Sequence, residues 1–386
     1  MAVTSLLPKI FLFASTTLLI ISTPAHTDKC FNSIISFGDS IADTGNALHI
    51  SSKSNPPPFF SLYPYGETFF NHPTGRCSDG RLIIDFIAED LGHPFVEPFH
   101  SGGRNASLES VNFAVVGATA LEDSFFIERN IMLPLANVSL LAQFSWFKQF
   151  LSKKGNNSSD YKRYLQTSLV LVGEIGGNDY NHAFFQGKNV AEVQSFVPKI
   201  VKTIGQTINE LINLGAVTLM VPGNFPIGCS AAYLTYFVSK NEEGYDSTTG
   251  CIKWLNRFAQ YHNELLQREL NRIRQLHPET TIIYADYYNA AMSLYRCPEK
   301  YGFVGGALKA CCGGGGLYNV NFSVQCGYPQ SAHCVEPSSY MNWDGVHFTD
   351  VASKWIAKFL LRGSYTTPRL GAICDRHSIH ARIYDH

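Results

Sequence analysis

The chain has 386 residues, room for one large domain or two ordinary ones, and 45% of them are hydrophobic, enough for a sizeable core and too many for a disordered chain. Thirty Lys and Arg against thirty-one Asp and Glu leave a formal charge of −1. With no basic run carrying interleaved aromatics, that balance excludes the electrostatic footprint of a nucleic-acid partner.

At the N-terminus Lys9 precedes twelve apolar-type residues, Ile10 to Ile21, and then the small residues Thr23-Pro24-Ala25. This is the pattern of a signal peptide over residues 1–25, with a mature chain starting near His26. A run of twelve spans too little of a bilayer about 30 Å thick to serve as an anchor, so no membrane partner is expected of the mature form. Ten cysteines follow the leader, an even number suited to an oxidising compartment. Five N-x-S/T sequons, at Asn105, Asn137, Asn156, Asn157 and Asn321, mark candidate glycosylation sites of a secreted protein.

Beyond the leader, short apolar runs alternate with amphipathic stretches, the pattern of an α/β fold around a parallel sheet. Five buried strands are predicted, at Ser33–Phe37, Val111–Val116, Leu169–Val172, Ala216–Val221 and Thr281–Ala285. Helical spacing of apolar residues predicts helices over Val193–Leu214 and Cys251–Leu276. A last helix is expected from a Thr349 cap to Leu361, stopped by Gly363. Gly155–Asp160 reads as a loop, and the tail after about residue 363 is polar and weakly patterned. A single domain over 26–386 is the economical reading.

Four short segments could carry chemistry. Gly38-Asp39-Ser40 ends the first strand, where a strand-to-helix turn would expose the serine hydroxyl beside a helix N-terminus. Gly117 follows the second strand and offers a backbone N–H. Gly176-Gly177-Asn178-Asp179 follows the third, at the strand end where α/β ligand sites form, and the Asn178 amide could donate to an oxyanion. Asp344 and His347, three residues apart in a glycine-containing loop, could supply a base and the acceptor that orients it. Taken alone, each segment reads more simply as an ordinary turn or a solvated loop.

Taken in order, these segments resemble the plant branch of the GDSL family of SGNH hydrolases. The resemblance runs through Phe37–Asn46, Pro64–Glu89, Asn112–Ala120, Ile175–Tyr180, Val221–Cys229, Tyr284–Ala290 and Trp343–Thr349. It implies a three-layer α/β/α sandwich with a mostly parallel sheet of about five strands. It also implies Ser40 as nucleophile, His347 as base and then acid, and Asp344 as its orienting partner. The oxyanion hole would be the backbone N–H groups of Ser40 and Gly117 with the Asn178 side chain. Such an enzyme hydrolyses esters through an acyl-enzyme and needs no cofactor and no metal. Within the branch, the stretches Pro73–Ala88, Gly117–Leu121 and Tyr284–Ala290 are similar to the subgroup of acetylajmalan and sinapine esterases.

That subgroup implies a small-molecule substrate, an acetyl or other small acyl ester of a plant specialised metabolite such as an alkaloid. Two alternatives use the same fold: a cell-wall polysaccharide O-acetyl esterase, and a secreted glycan-binding protein without turnover. Metal- and phosphate-binding motifs are missing from the sequence, and Gly313–Gly316 reads as a loop stapled by disulfides. Cys229 and Cys251 flank a loop of about twenty residues and are expected to bond. Cys311, Cys312, Cys326 and Cys334 should supply at least one further bridge, and the vicinal pair should bond elsewhere than to each other. Tyr63, Tyr65, Phe69 and Phe70 are candidate pocket aromatics, although aromatics in a large domain are more often core.

Overall fold

A computed structural model of the protein describes residues 29–101, 109–134, 138–154 and 158–374. The signal peptide and four of the sequons, Asn105, Asn137, Asn156 and Asn157, lie outside the described residues. No helix among the described residues is long and apolar enough to cross a membrane.

The centre is a seven-stranded sheet. Its strands are β1 (Ser33–Phe37), β2 (Glu97–Pro98), β3 (Val111–Asn112), β4 (Ser168–Val172), β5 (Thr218–Pro222), β6 (Thr281–Ala285) and the edge segment Thr366–Thr367. Across the sheet the order is Thr366–Thr367, β6, β5, β4, β1, β3, β2. All pairings are parallel except the antiparallel edge of Thr366–Thr367 on β6. Strands β1, β4 and β5 are buried along their whole length, which is why they read as continuous apolar runs.

Two helix groups flank the sheet and complete three layers. One contains α2 (Leu140–Lys154), α4 (Val197–Leu214) and α5 (Lys253–Leu276), which pack on one another. The other contains α1 (Ile83–Asp90), α6 (Tyr287–Arg296) and α7 (Asp350–Arg362). Between them, α3 (Gly177–Phe184) leaves the end of β4. The chain lays β2 and β3 on one side of β1 and then crosses to β4, β5 and β6 on the other. That reversal creates a crevice at the carboxyl ends of β1, β3 and β4.

Several sequence-based boundaries move for identifiable reasons. The expected strand Val111–Val116 is regular only over Val111–Asn112. Phe113 and Val115 still donate to the Ser36 and Gly38 carbonyls, but the Asn46 side chain takes the carbonyls of Asn112 and Ala114 at 2.8 and 2.9 Å. The predicted helix Val193–Leu214 is two helices, Val190–Gln194 and α4, because Pro198 lacks a donor and fits only a first turn. Part of the predicted loop Gly155–Asp160 is helical, since a helix runs Ser158–Gln166. The tail after Gly363 is ordered further than its composition suggested: Thr366–Thr367 extends the sheet and Cys374 is bonded to Cys30. Thr349 does cap α7, accepting the Ala352 N–H at 3.3 Å.

Cys229 pairs with Cys251, Cys311 with Cys334 and Cys312 with Cys326, so the vicinal cysteines bond to separate partners. Cys77 and Cys297 are free thiols.

Candidate active site

Strand β1 ends by pointing Ser40 into the crevice. Gly38 has φ +141°, and a Cβ there would sit 3.0 Å from the Glu174 carbonyl, so only glycine suits the turn. Gln143 of α2 clamps that glycine from both ends, accepting its N–H at 2.9 Å and donating to its carbonyl at 2.8 Å. No helix starts at Ser40, contrary to the sequence reading. The segment turns through residues 40–45, where Asp43 accepts the N–H groups of Gly45, Asn46 and Ala47, and only Asn46–Ile50 is helical. A helix dipole therefore does not act on Ser40 directly.

The loop before α7 brings the base. His347 Nε2 lies 2.8 Å from Ser40 Oγ, and His347 Nδ1 lies 2.7 Å from Asp344 Oδ2. Asp344 also accepts the backbone N–H of Val346 at 3.1 Å and of His347 at 3.0 Å, and the Tyr65 hydroxyl at 2.8 Å. Burial alone would raise the Asp344 pKa. The His347 imidazole, these N–H donors and the Tyr65 hydroxyl outweigh it and hold the carboxylate down to about 2. Gly345, at φ +102°, lets the loop fold back, and its carbonyl accepts from Ala232 N at 2.9 Å and Ser230 Oγ at 2.6 Å.

Asn178 sits in the first turn of α3. Its amide nitrogen donates to Asp39 Oδ2 and to the Ala118 carbonyl, both at 3.1 Å, and its oxygen accepts from Asn181 at 3.2 Å. Asn181 is itself fixed by the Tyr233 hydroxyl at 2.7 Å. This chain of bonds sets which edge of the Asn178 amide carries the N–H groups. The backbone N–H groups of Ser40 and Gly117 donate to no group among the described residues, and both residues line the cavity above the serine. Such free donors beside a nucleophile are what an oxyanion requires.

Behind the serine lies a set of buried carboxyl groups. Burial, and then the neighbouring Glu174, push Asp39 well above the ordinary carboxyl range, and burial likewise raises Glu174. Burial raises Asp179 to about 7, although its carboxylate accepts the Ala120 and Leu121 N–H groups at 2.8 and 3.0 Å. Asp179 thus anchors the loop that follows Gly117.

The cavity over Ser40 has a volume of about 240 Å³. Ser40, Gly117, Asn178 and His347 line it, with apolar walls from Phe59, Phe185, Val320 and Phe322. The arrangement can remove a proton from Ser40 through His347 and balance the resulting cation with Asp344. Of the candidate aromatics only Tyr65 belongs here; Tyr63 and Phe69 are exposed and Phe69 and Phe70 pack with Phe95. Sequence reasoning did not anticipate Glu174, Asn181 or Tyr233. Nothing in their local pattern separates them from ordinary polar or core residues.

Residues 34–360 match the GDSL-like lipase/acylhydrolase family. A GDSL esterase/lipase of Arabidopsis thaliana is 52% identical over 362 residues, covering 93% of this chain and 89% of that protein. Sinapine esterase of Brassica napus is 50% identical over 371 residues, covering 96% and 95%. The free N–H groups beside a histidine-linked serine, in a chain this similar to known esterases, lead to one assignment: the protein belongs to the GDSL lipase/acylhydrolase family and is a carboxylic ester hydrolase.

Proposed function

We propose that Ser40, His347 and Asp344 form the catalytic triad and that the enzyme works through an acyl-enzyme. The reading rests on the hydrogen-bonded relay of 2.8 and 2.7 Å from Ser40 through His347 to Asp344. Ser40 Oγ attacks the ester carbonyl as His347 takes its proton, and Asp344 steadies the imidazolium. The carbonyl oxygen, now anionic, accepts from the N–H groups of Ser40 and Gly117 and shares an Asn178 N–H with Asp39 or Ala118. His347 returns the proton to the departing alcohol, and water repeats the sequence on the acyl-enzyme.

The substrate is an acetyl or other small acyl ester of a plant specialised metabolite, an alkaloid being one such alcohol. A relative named as a sinapine esterase supports an ester of a plant specialised metabolite but not the small acyl part, and apolar aromatic walls suit a compact organic alcohol better than a polysaccharide. The protein enters the secretory pathway behind residues 1–25, a reading that the four disulfides support. Asn321, exposed at the cavity rim, carries a glycan in that reading.

The test is labelling of the purified protein by a fluorophosphonate, followed by hydrolysis of a panel of acetyl, methyl and hydroxycinnamoyl esters. Labelling at Ser40 that vanishes in Ser40→Ala supports the triad, and labelling elsewhere rejects it. Intact mass before and after deglycosylation, with N-terminal sequencing, checks the leader and the glycans.

A further inference from the structure

The crevice has a second compartment. A pocket of about 60 Å³ is lined by Ser40 and Asn178, but neither His347 nor Gly117 lines it. Its wall comes from the Gly223–Cys229 loop after β5, through Asn224, Phe225 and Ile227, and from Phe348. These four side chains are buried. The wall is also rigid. Asn224 N donates to Asn263 Oδ1 at 2.6 Å, Gly228 N donates to Asn256 Oδ1 at 2.9 Å, and Cys229 is tied to Cys251. The Phe225 ring packs 4.8 Å from both Tyr287 and Phe348.

The chemistry of the triad decides which part of an ester each compartment receives, so the roles of the two compartments rest on the triad reading. His347 must protonate the departing alcohol oxygen, which places the alcohol in the compartment that His347 lines. The water that cleaves the acyl-enzyme needs the same base and approaches from the same side. The acyl substituent stays bonded through its carbonyl carbon to Ser40 Oγ and needs space that touches the serine without obstructing His347. Of the two compartments, the smaller has that relation to Ser40 and His347.

We infer that the pocket walled by Asn224, Phe225 and Ile227 is the acyl pocket, and that it restricts the enzyme to short acyl groups. At about 15–30 Å³ for each water-sized group, the space takes roughly two to four groups beyond the carbonyl. Acetyl to butyryl fit, and hexanoyl does not. Asp39, Glu174, Asn181 and Tyr233 also line the pocket, and of its polar side chains Asn224 is the one with an unpartnered buried atom. Asn224 is 4% exposed, and its amide nitrogen has no partner among the described residues. An acyl group with an oxygen along its chain, such as methoxyacetyl, accepts that N–H, whereas isosteric butyryl cannot.

The bond changes balance without another reagent. The Ser40 Oγ–C bond forms as the C–O bond to the alcohol breaks, and the serine proton leaves on the alcohol. Water then adds, releasing the short carboxylic acid and restoring the serine proton.

The experiment uses the purified secreted protein and p-nitrophenyl acetate, butyrate, hexanoate, octanoate and methoxyacetate, so that only the acyl part varies. Wild-type kcat/KM should fall at least about tenfold between butyrate and hexanoate. Ile227→Ala should raise the hexanoate-to-acetate ratio about tenfold, and the milder Ile227→Val should move it the same way by less. Phe322→Ala, in the larger compartment, should leave the acyl profile in place. Asn224→Leu should lower the methoxyacetate-to-butyrate ratio about five- to tenfold relative to wild type, the worth of one hydrogen bond. Equal wild-type rates from acetate to octanoate overturn the assignment. So does an acyl profile that shifts with Phe322→Ala and stays fixed in both Ile227 variants. Failure of the fluorophosphonate to label Ser40 strikes instead at the triad on which the assignment rests.

Discussion

His347 Nε2 reaches to within 2.8 Å of Ser40 Oγ across 307 residues of chain. The contact joins the loop after β1 to the loop before α7, so it forms only when these distant parts of the chain are brought together. If that contact carries catalysis, Ser40→Ala or His347→Ala should abolish nearly all turnover while purified yield and folding stay similar. Residual rates should not exceed the roughly 10³–10⁴ over water that binding and an oxyanion hole supply without the triad. A variant retaining about a tenth of wild-type kcat would reject the assignment, because loss of a nucleophile costs several kcal/mol of barrier.

Asn178 separates an oxyanion donor from a turn residue. Asn178→Ala should cost about 10²–10³ in kcat with little change in KM. Asn178→Asp should be worse than Ala, because it places a carboxylate toward the developing oxyanion and also beside Asp39 Oδ2, which the native amide reaches at 3.1 Å. Steady-state kinetics on protein verified as folded by circular dichroism decide the order. Near-normal kcat in Asn178→Asp, or Ala worse than Asp, would show that this amide does not act on the transition state.

The Cys229–Cys251 bridge closes a loop with a sequence separation of 22. Replacing both cysteines with alanine should lower stability by roughly 3 kcal/mol on the chain-entropy account. Thermal unfolding of the double variant measures this, and an unchanged Tm would mean that the Asn256 and Asn263 bonds alone hold the loop. Tryptic mapping without reductant should recover the two cysteines in one linked peptide.

His262 gives a pH dependence with a definite sign. Its ring is buried, its Nδ1 lies 2.7 Å from the Tyr180 hydroxyl, and burial lowers its pKa from 6.5 to about 4. The folded protein keeps it neutral while the unfolded chain protonates it. The stability it confers is therefore present above about pH 6.5 and lost as pH falls through about 4. The shift corresponds to roughly 3 kcal/mol at about 1.4 kcal/mol per pH unit. Urea unfolding of wild type and His262→Gln should show the wild-type advantage shrinking by about that amount between pH 7 and pH 4. A difference that does not vary with pH would mean the ring is protonated equally in both states.

The sequence by itself determined the elements whose signals are local. Strands β1 and β6 match their predicted bounds, because parallel strands covered on both faces read as short, mostly apolar runs. The Thr349 cap and the Gly363 stop of α7 are equally local, as is the Cys229–Cys251 loop. The family motifs named Ser40, Gly117, Asn178, Asp344 and His347 and implied their roles, but not the distances and buried partners that hold them.

Tertiary structure decided the rest, because the deciding contacts are long-range. Asn46 donates to the carbonyls of Asn112 and Ala114 where β3 loses its regular pairing, contacts between residues 66 and 68 positions apart that no window of sequence contains. Glu174, Asn181 and Tyr233 became site residues only when folding placed them around Asn178 and Asp39, and only there does burial push the Asp39 and Glu174 carboxyls above their ordinary range. The division of the crevice into a large compartment beside His347 and a small one beside Asn224 is likewise a property of packed loops. Each of those loops reads in sequence as a turn, since its side chains acquire a common target only when the carboxyl ends of β1, β3, β4 and β5 are brought side by side.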